Sequence, residues 1–244
     1  MKHIVVLTGA GISAESGLST FRDNHGLWTK VNAEELASIK GYRKDRAKVL
    51  AFYNERRKNL LTVEPNHAHK VLAELEQEYK VSIITQNVDD LHERAGSTNV
   101  LHLHGELRKV TSSNNPNDPR YIVEKPLDEP IMIGDKAADG SQLRPFIVFF
   151  GEKVPNIQLA ERIAEDADIF VVIGTSLQVY PAAGLIESVP WKIPCFLIDP
   201  GEFWDDMKYG FEHIKTTAVA GIDILKEKLN GRGVASPSCT RIIE

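Results

Sequence analysis

At 244 residues the chain is long enough for one substantial core, or for a large domain carrying a small insert. Hydrophobic content of 42% and charged content of 26% are those of an ordinary globular protein, and a net charge of -5 exerts no general pull on nucleic acid or an acidic membrane. Two cysteines, Cys195 and Cys239, make neither a disulfide framework nor a zinc site, and no apolar run approaches the roughly 18 residues of a membrane span. A reduced, cytoplasmic setting is expected, with neither nucleic acid nor membrane as a partner.

In chain order, HIVVLT (3–8) reads as a first strand rather than a leader, and it runs into a glycine-rich turn. Residues 29–66 carry helix-prone, charge-rich sequence such as DRAKVLAFYNERRKNLL. The segment HAHKVLAELEQEYK (67–80) sets Val71, Leu72, Leu75 and Tyr79 on one helical face, and VSIITQ (81–86) is a second strand. Residues 108–145 are poor in apolar runs and rich in Asn, Asp, Pro and Gly. The strand-like runs FIVFFG (146–151), IFVVIG (169–174) and PCFLID (194–199) follow, interleaved with helical patterns in QLAERIAEDA (158–167) and GIDILKEKLN (221–230). Strands alternating with helices predict an α/β fold, a Rossmann-like, doubly wound and mainly parallel sheet. The expected division gives residues 1–28, 67–107 and 146–230 to the sheet domain. Residues 29–66 and 108–145 form a smaller inserted module, and 231–244 a loose tail.

Four motifs carry chemistry. Gly9-Ala10-Gly11 follows the first strand, with Ala14 at the third small position of a GxGxxG/A pattern; such residues let backbone N–H groups approach a pyrophosphate. A tight strand-to-helix turn with no ligand explains the same residues, and the acidic ribose ligand expected about 20 residues on is not evident. Thr85-Gln86-Asn87-Val88-Asp89 closes the second strand, at the carboxyl end where open α/β sheets bind ligands; Asn87 or Asp89 could instead simply cap the segment DDLHERAG. His102 and His104 flank Leu103, so an extended backbone points both to one side, as a general base or half of a metal site that lacks an obvious third ligand. Structural, hydrogen-bonded roles are expected for His3, His25, His67, His69, His92 and His213. Gly174-Thr175-Ser176 ends a further strand with small donors.

Taken together, GAGISAESGLSTFR, TQNVD, HLHG, FFGE and GTSLQVYPAA, in this order over nearly the whole chain, resemble the sirtuins, the NAD-dependent protein-lysine deacylases. The resemblance implies NAD as a consumed co-substrate and acylated lysines of proteins as partners. Gly9, Ala10, Gly11 and Ala14 would line the pyrophosphate, with Phe21, Arg22 and Trp28 on the loop beyond. Phe21 would shield the reacting ribose from water, and Arg22 would hold the phosphates or a productive pose. Gln86, Asn87 and Val88 would meet the nicotinamide ribose, and Asp89 the nicotinamide amide. Gly174, Thr175 and Ser176 would hold the adenosine side, with Asp199 and Ala218 nearer the ribose and adenine. His104 would be the general base, assisted by Asn87, as the acyl group passes to ADP-ribose and nicotinamide leaves. Val148, Phe150, Gly151 and Glu152 match the strand that pairs with the peptide substrate.

Two features refine the expectation. Sirtuins often hold a structural zinc on two CxxC pairs between the HG and FGE motifs, yet residues 105–150 contain no cysteine, so zinc is expected to be absent. Ala37, Tyr53 and Arg56 match the bacterial CobB-like and mitochondrial desuccinylase-type subgroup. Tyr53 and Arg56 lie three apart on one helix, so a phenol and a guanidinium can meet one carboxylate, although a solvated basic face fits the same spacing. Removal of acetyl and of succinyl or malonyl groups, by a monomer, is therefore the expected activity. The rivals are a mono-ADP-ribosyltransferase using the same NAD site and a non-catalytic module binding NAD or acyl-lysine.

Overall fold

The structure is a computed structural model and describes residues 1–19, 33–175, 177, 180–202 and 210–231. A six-stranded, all-parallel sheet forms its centre, from β1 (His3–Thr8), β2 (Lys80–Thr85), β3 (Val100–His102), β7 (Ile169–Ile173), β8 (Cys195–Ile198) and β9 (Glu212–Ile214). Its order is β3-β2-β1-β7-β8-β9, so successive crossovers leave β1 in opposite directions and the switch lies between β1 and β7.

The strands are mostly apolar because both faces are covered, and the polar residues they bury, His3, Thr8, Ser82 and Thr85 among them, are hydrogen-bonded. Alternation sends Ile4, Val6, Ile83, Val171 and Ile198 to one side, against α5 (His67–Glu74) and α8 (Ala218–Leu229). It sends Val5, Leu7, Ile84, Val172 and Leu197 to the other, against α7 (Ile157–Glu165) and the 3-10 turn Ala182–Ser188. All four residues from Ile4 to Leu7 are fully buried, and each such side chain contributes about 1.5–3 kcal/mol of transfer free energy.

A second, three-stranded antiparallel sheet is built from β4 (Gly105–Ser112), β5 (Val123–Glu124) and β6 (Leu143–Ile147), in the order β5-β4-β6. The helices α2 (Ala33–Leu36), α3 (Ile39–Lys44) and α4 (Arg46–Asn59) share its core through Tyr42, Val49, Tyr53, Leu107, Ile147 and Phe149. This corrects the reading of FIVFFG as one strand. Only Phe146 and Ile147 belong to a strand, and it is antiparallel to β4 rather than part of the large sheet. Beyond Ile147 the chain turns, and Gly151 sits at φ +90°, where an L side chain is strained.

The loop-rich part of this module is gathered around Ser112 and Asp139. The Ser112 hydroxyl donates to Asp139 (2.6 Å) and accepts the backbone N–H groups of Asn114 (3.0 Å) and Asn115 (2.9 Å). Asn115 and the Ser141 hydroxyl and N–H also donate to Asp139. Among the described residues no group of three or more His, Cys, Asp or Glu could hold a metal ion. Nor is any described helix long and apolar enough to cross a membrane.

Candidate active site

At the switch point the carboxyl ends of β1 and β7 nearly touch. Gly9 donates to the carbonyl of Ile173 (3.0 Å) and Gly11 to that of Gly174 (2.8 Å). A Cβ on Gly11 would lie 2.6 Å from the Gly174 backbone, and one on Gly9 equally close to Thr175. The glycines thus answer first to backbone packing between two strand ends. They open α1 (Ala10–Ala14), whose N-terminus has no side-chain cap and no acidic residue in its first turn. The N–H groups of Gly11 and Ile12 are taken by the carbonyls of Gly174 and Gly9, which leaves the N–H of Ala10 and the helix's partial positive charge to an anion at the edge.

The sequence folds α1 back by two tethers. Asn66, the N-cap of α5, donates to the carbonyl of Ile12 (2.7 Å) and to the Ser16 hydroxyl (3.1 Å). Glu15 accepts the N–H of Val219 (3.0 Å), which brings Ala218 and the start of α8 to the same edge. Asp199 ends β8, where its carboxylate accepts from Gly201 and its carbonyl faces His213.

Residues 86–89 lie beside this turn. The Asn87 amide donates to the carbonyl of Gly9 (3.1 Å) and the hydroxyl of Ser13 (3.1 Å), and the same hydroxyl donates to Asp89 (3.1 Å). Asp89 also accepts from the N–H of Leu91 at the start of α6 (Leu91–Ala95), so the capping role weighed for it is real. Burial drives the Asp89 carboxyl above the usual carboxylate range, against the bonds from Leu91 and Ser13. Gln86 donates to the Thr175 hydroxyl (3.2 Å), across the switch point, and the Val88 carbonyl takes the N–H of Leu107. Ser13 joins Asn87 to Asp89, and the motifs had not singled it out.

The two histidines diverge. Both anchor Nδ1 on a backbone carbonyl, His102 on Asn87 and His104 on Gln86, each at 3.0 Å. A carbonyl only accepts, so each Nδ1 carries the proton. At Nε2, His102 meets the Glu93 carboxylate at 2.8 Å. Burial works against a charged His102 ring, but Glu93 outweighs it and raises its pKa. His104 Nε2 has no partner among the described residues, and burial lowers its pKa despite the Gln86 carbonyl. His102 is therefore a structural cation and His104 a neutral ring with a bare lone pair. A shared metal is incompatible with the Glu93 contact. His3, His67, His69, His92 and His213 all make structural hydrogen bonds, as expected of them.

The remaining expected residues gather on the small module. Tyr53 is buried edge-on to Phe149 (5.7 Å between ring centres), and Ala37 takes the N–H of the next residue, Phe150 (2.8 Å), on its carbonyl. Burial pushes the Tyr53 phenol up to about 12. Burial also lowers the Arg56 pKa, opposed by Tyr53 and Asp89. Phe150 gives its N–H to the carbonyl of Ala37 and accepts that of Ile39 on its own carbonyl (3.0 Å). The Glu152 carboxylate holds Arg144 in a two-pronged ion pair at 2.8 Å. Phe21, Arg22, Trp28 and Ser176 lie outside the described residues.

Comparisons agree with this geometry. The family model described as Sir2 family matches residues 9–181. A protein of Bacteroides thetaiotaomicron named NAD-dependent protein deacylase is 56% identical over 230 residues, covering 94% of this chain and 98% of its own. One of the same name from Helicobacter pylori is 51% identical over 229 residues, with the same coverage of 94% and 98%. The crystal structure of a Sir2 homologue–NAD complex superposes with a TM-score of 0.80 at 38% identity, covering 95% of this chain and 90% of that one. The chain belongs to the Sir2 family.

Proposed function

We propose that the chain is an NAD-dependent protein-lysine deacylase that removes acetyl and negatively charged acyl groups, succinyl and malonyl among them, with His104 as its general base. The observation that carries this is the His104 ring. Its tautomer is fixed by the Gln86 carbonyl, its Nε2 has no partner among the described residues, and burial lowers its pKa beside the sheet's switch point.

The donors there fit a dinucleotide. The uncapped start of α1 suits a pyrophosphate, and Gln86, Thr175, Asn87 and Asp89 offer polar groups for ribose and amide. When bound, NAD supplies a ribose carbon able to accept the acyl oxygen and nicotinamide as the leaving group. Asp89, with its raised pKa, would orient the amide, and Asn87, held by Gly9 and Ser13, would keep a ribose in register. His104 Nε2 takes the proton of a ribose hydroxyl. Tyr53 and Arg56 would bind the distal carboxylate of a succinyl or malonyl group, and Ala37 would leave room for the longer chain. Phe21, Arg22, Trp28, Gly174, Ser176, Asp199 and Ala218 complete the proposed cofactor contacts. Val148 and Gly151 complete those to the peptide.

We further propose that the sheet domain holds NAD while residues 29–66 and 108–145 select the acyl group, and that the protein works as a cytoplasmic monomer on acylated proteins, without nucleic acid or membrane. Mass spectrometry of acetyl, malonyl, succinyl and glutaryl peptides incubated with NAD tests the activity. Acyl-ADP-ribose together with free lysine is expected. ADP-ribose attached to protein, or no turnover, would overturn it in favour of a transferase or a silent binding module.

A further inference from the structure

Arg144 is fully buried, and nothing in the proposed chemistry uses it. Its Nη1 and Nη2 each donate to one oxygen of Glu152 at 2.8 Å, and Nη2 also donates to the carbonyl of Ile147 (2.9 Å). The guanidinium lies against two rings that stack on each other, 4.6 Å from the centre of Phe149 and 5.7 Å from that of Tyr42. Glu152 in turn accepts the N–H of Phe149 (2.9 Å) and donates its own N–H to the Phe149 carbonyl (2.9 Å). One ion pair thus closes the turn 147–152 through its backbone at both ends.

That turn joins the two halves of the site. Val148 donates to the carbonyl of His104, Phe149 packs on Tyr53, and Phe150 is pinned to Ala37 and Ile39 with its side chain exposed. A buried ion pair adds little net stability compared with apolar residues of similar volume, because desolvating both charges offsets their attraction. What it supplies is a fixed geometry, since a two-pronged guanidinium–carboxylate contact tolerates only one orientation.

We propose that Arg144 and Glu152 are positioning residues for the protein substrate. They hold Val148 to Gly151 in the shape that receives the peptide flanking the acylated lysine, whichever acyl group it carries. This rests on the deacylase reading.

The test is steady-state kinetics of Glu152→Gln and Arg144→Lys with acetyl and succinyl versions of one peptide. KM for both peptides should rise about tenfold, while KM for NAD stays within about twofold of the parent. An isolated loss of kcat, a matching rise in KM for NAD, or a loss confined to succinyl peptide would each overturn the assignment. Glu152→Gln keeps the volume and one acceptor, so it serves if Arg144→Lys does not fold. If neither variant folds, the pair is a pillar of the core and the proposal fails. If the parent protein deacylates nothing, the deacylase reading falls instead. Peptide affinity measured by anisotropy, which needs no turnover, still reads the positioning role directly: about tenfold weaker binding is expected in the variants, and unchanged binding would overturn it.

Discussion

The two sheets of this protein are held by different forces. The large parallel sheet packs mainly apolar side chains on both faces, and its carboxyl edge is shaped by backbone contacts such as Gly11 against Gly174. The small antiparallel sheet depends on buried polar groups. Arg57, fully buried, donates to the carbonyls of Leu107, Lys125, Pro126 and Glu129, and Ser112, Asp139 and Arg144 each hold several partners. The first arrangement is close-packed and rigid, which suits a fixed cofactor site. The second is demanding in geometry, which suits discrimination between substrates.

The largest effect that tests this division is on chemistry. His104→Ala should lower kcat by about 100- to 10,000-fold, equally for acetyl and succinyl peptides, as followed by nicotinamide release. In the parent enzyme the acid limb of kcat/KM should fall below the ordinary imidazole value of about 6.5, because burial lowers the His104 pKa. A variant with most of its activity intact would break the link between the sheet edge and catalysis.

Acid should unsettle the large sheet's own polar seam. His69 and His92 meet edge-on behind the site (4.9 Å between ring centres), where His92 bonds Thr8 (3.0 Å) and His69 bonds Asn66 (3.0 Å). Burial lowers both pKa values, that of His69 to about 4; Glu93 opposes the shift at His69, while His102 and His69 add to it at His92. The unfolded chain therefore binds these protons first, and stability rises with pH. From about pH 6.5 down to about 4, His69 alone withdraws on the order of 3 kcal/mol. His102 has the opposite sign. Its raised pKa adds stability below the unfolded value, and that is lost as pH rises through the folded one. Urea midpoints at pH 7 and pH 5 measure the balance. In His69→Gln the fall in midpoint from pH 7 to pH 5 should be smaller than in the parent; an equal fall would show that His69 is not held neutral.

A smaller effect sharpens the assignment of selectivity to the small module. Arg56→Met removes a charge-assisted contact worth about 2 kcal/mol, so kcat/KM for succinyl peptide should fall about thirtyfold. Acetyl peptide, with no carboxylate, should lose at most about threefold. Equal losses on both would detach Arg56 from the acyl pocket.

Legibility in the sequence follows the same divide. β1, β2, β7 and β8 stand out as apolar runs because a parallel strand buried on both faces carries few polar residues, and only hydrogen-bonded ones such as His3 and Ser82. β4, GELRKVTS, is hidden by a register shift between Glu106 and Val110 and by polar residues that are buried but satisfied. FIVFFG misleads because its second half is apolar for the sake of an aromatic layer, Phe149 against Tyr42 and Tyr53, rather than a strand. In the site, the glycine turn, residues 86–89 and His104 were legible from their place at strand ends. Ser13, Asn66 and Arg144 were not, because their partners lie far along the chain or, for Glu152, beyond a turn that no pattern announces.

The smallest effect bears on what closes residues 108–145. Ser112→Ala removes the buried hydroxyl that ties Asp139, Asn114 and Asn115 together; those partners reach water, so the cost should be about 0.5–1.5 kcal/mol. Hydrogen exchange should quicken between Gly105 and Ile147 while β1, β2 and β7 keep their protection, since the two sheets have separate cores. Selectivity should blur before catalysis fails, with the succinyl-to-acetyl ratio falling and nicotinamide release on acetyl peptide preserved. If protection falls uniformly across both sheets, they are one cooperative unit. The contrast between a rigid catalytic edge and a polar selecting module would then describe only how the protein is built.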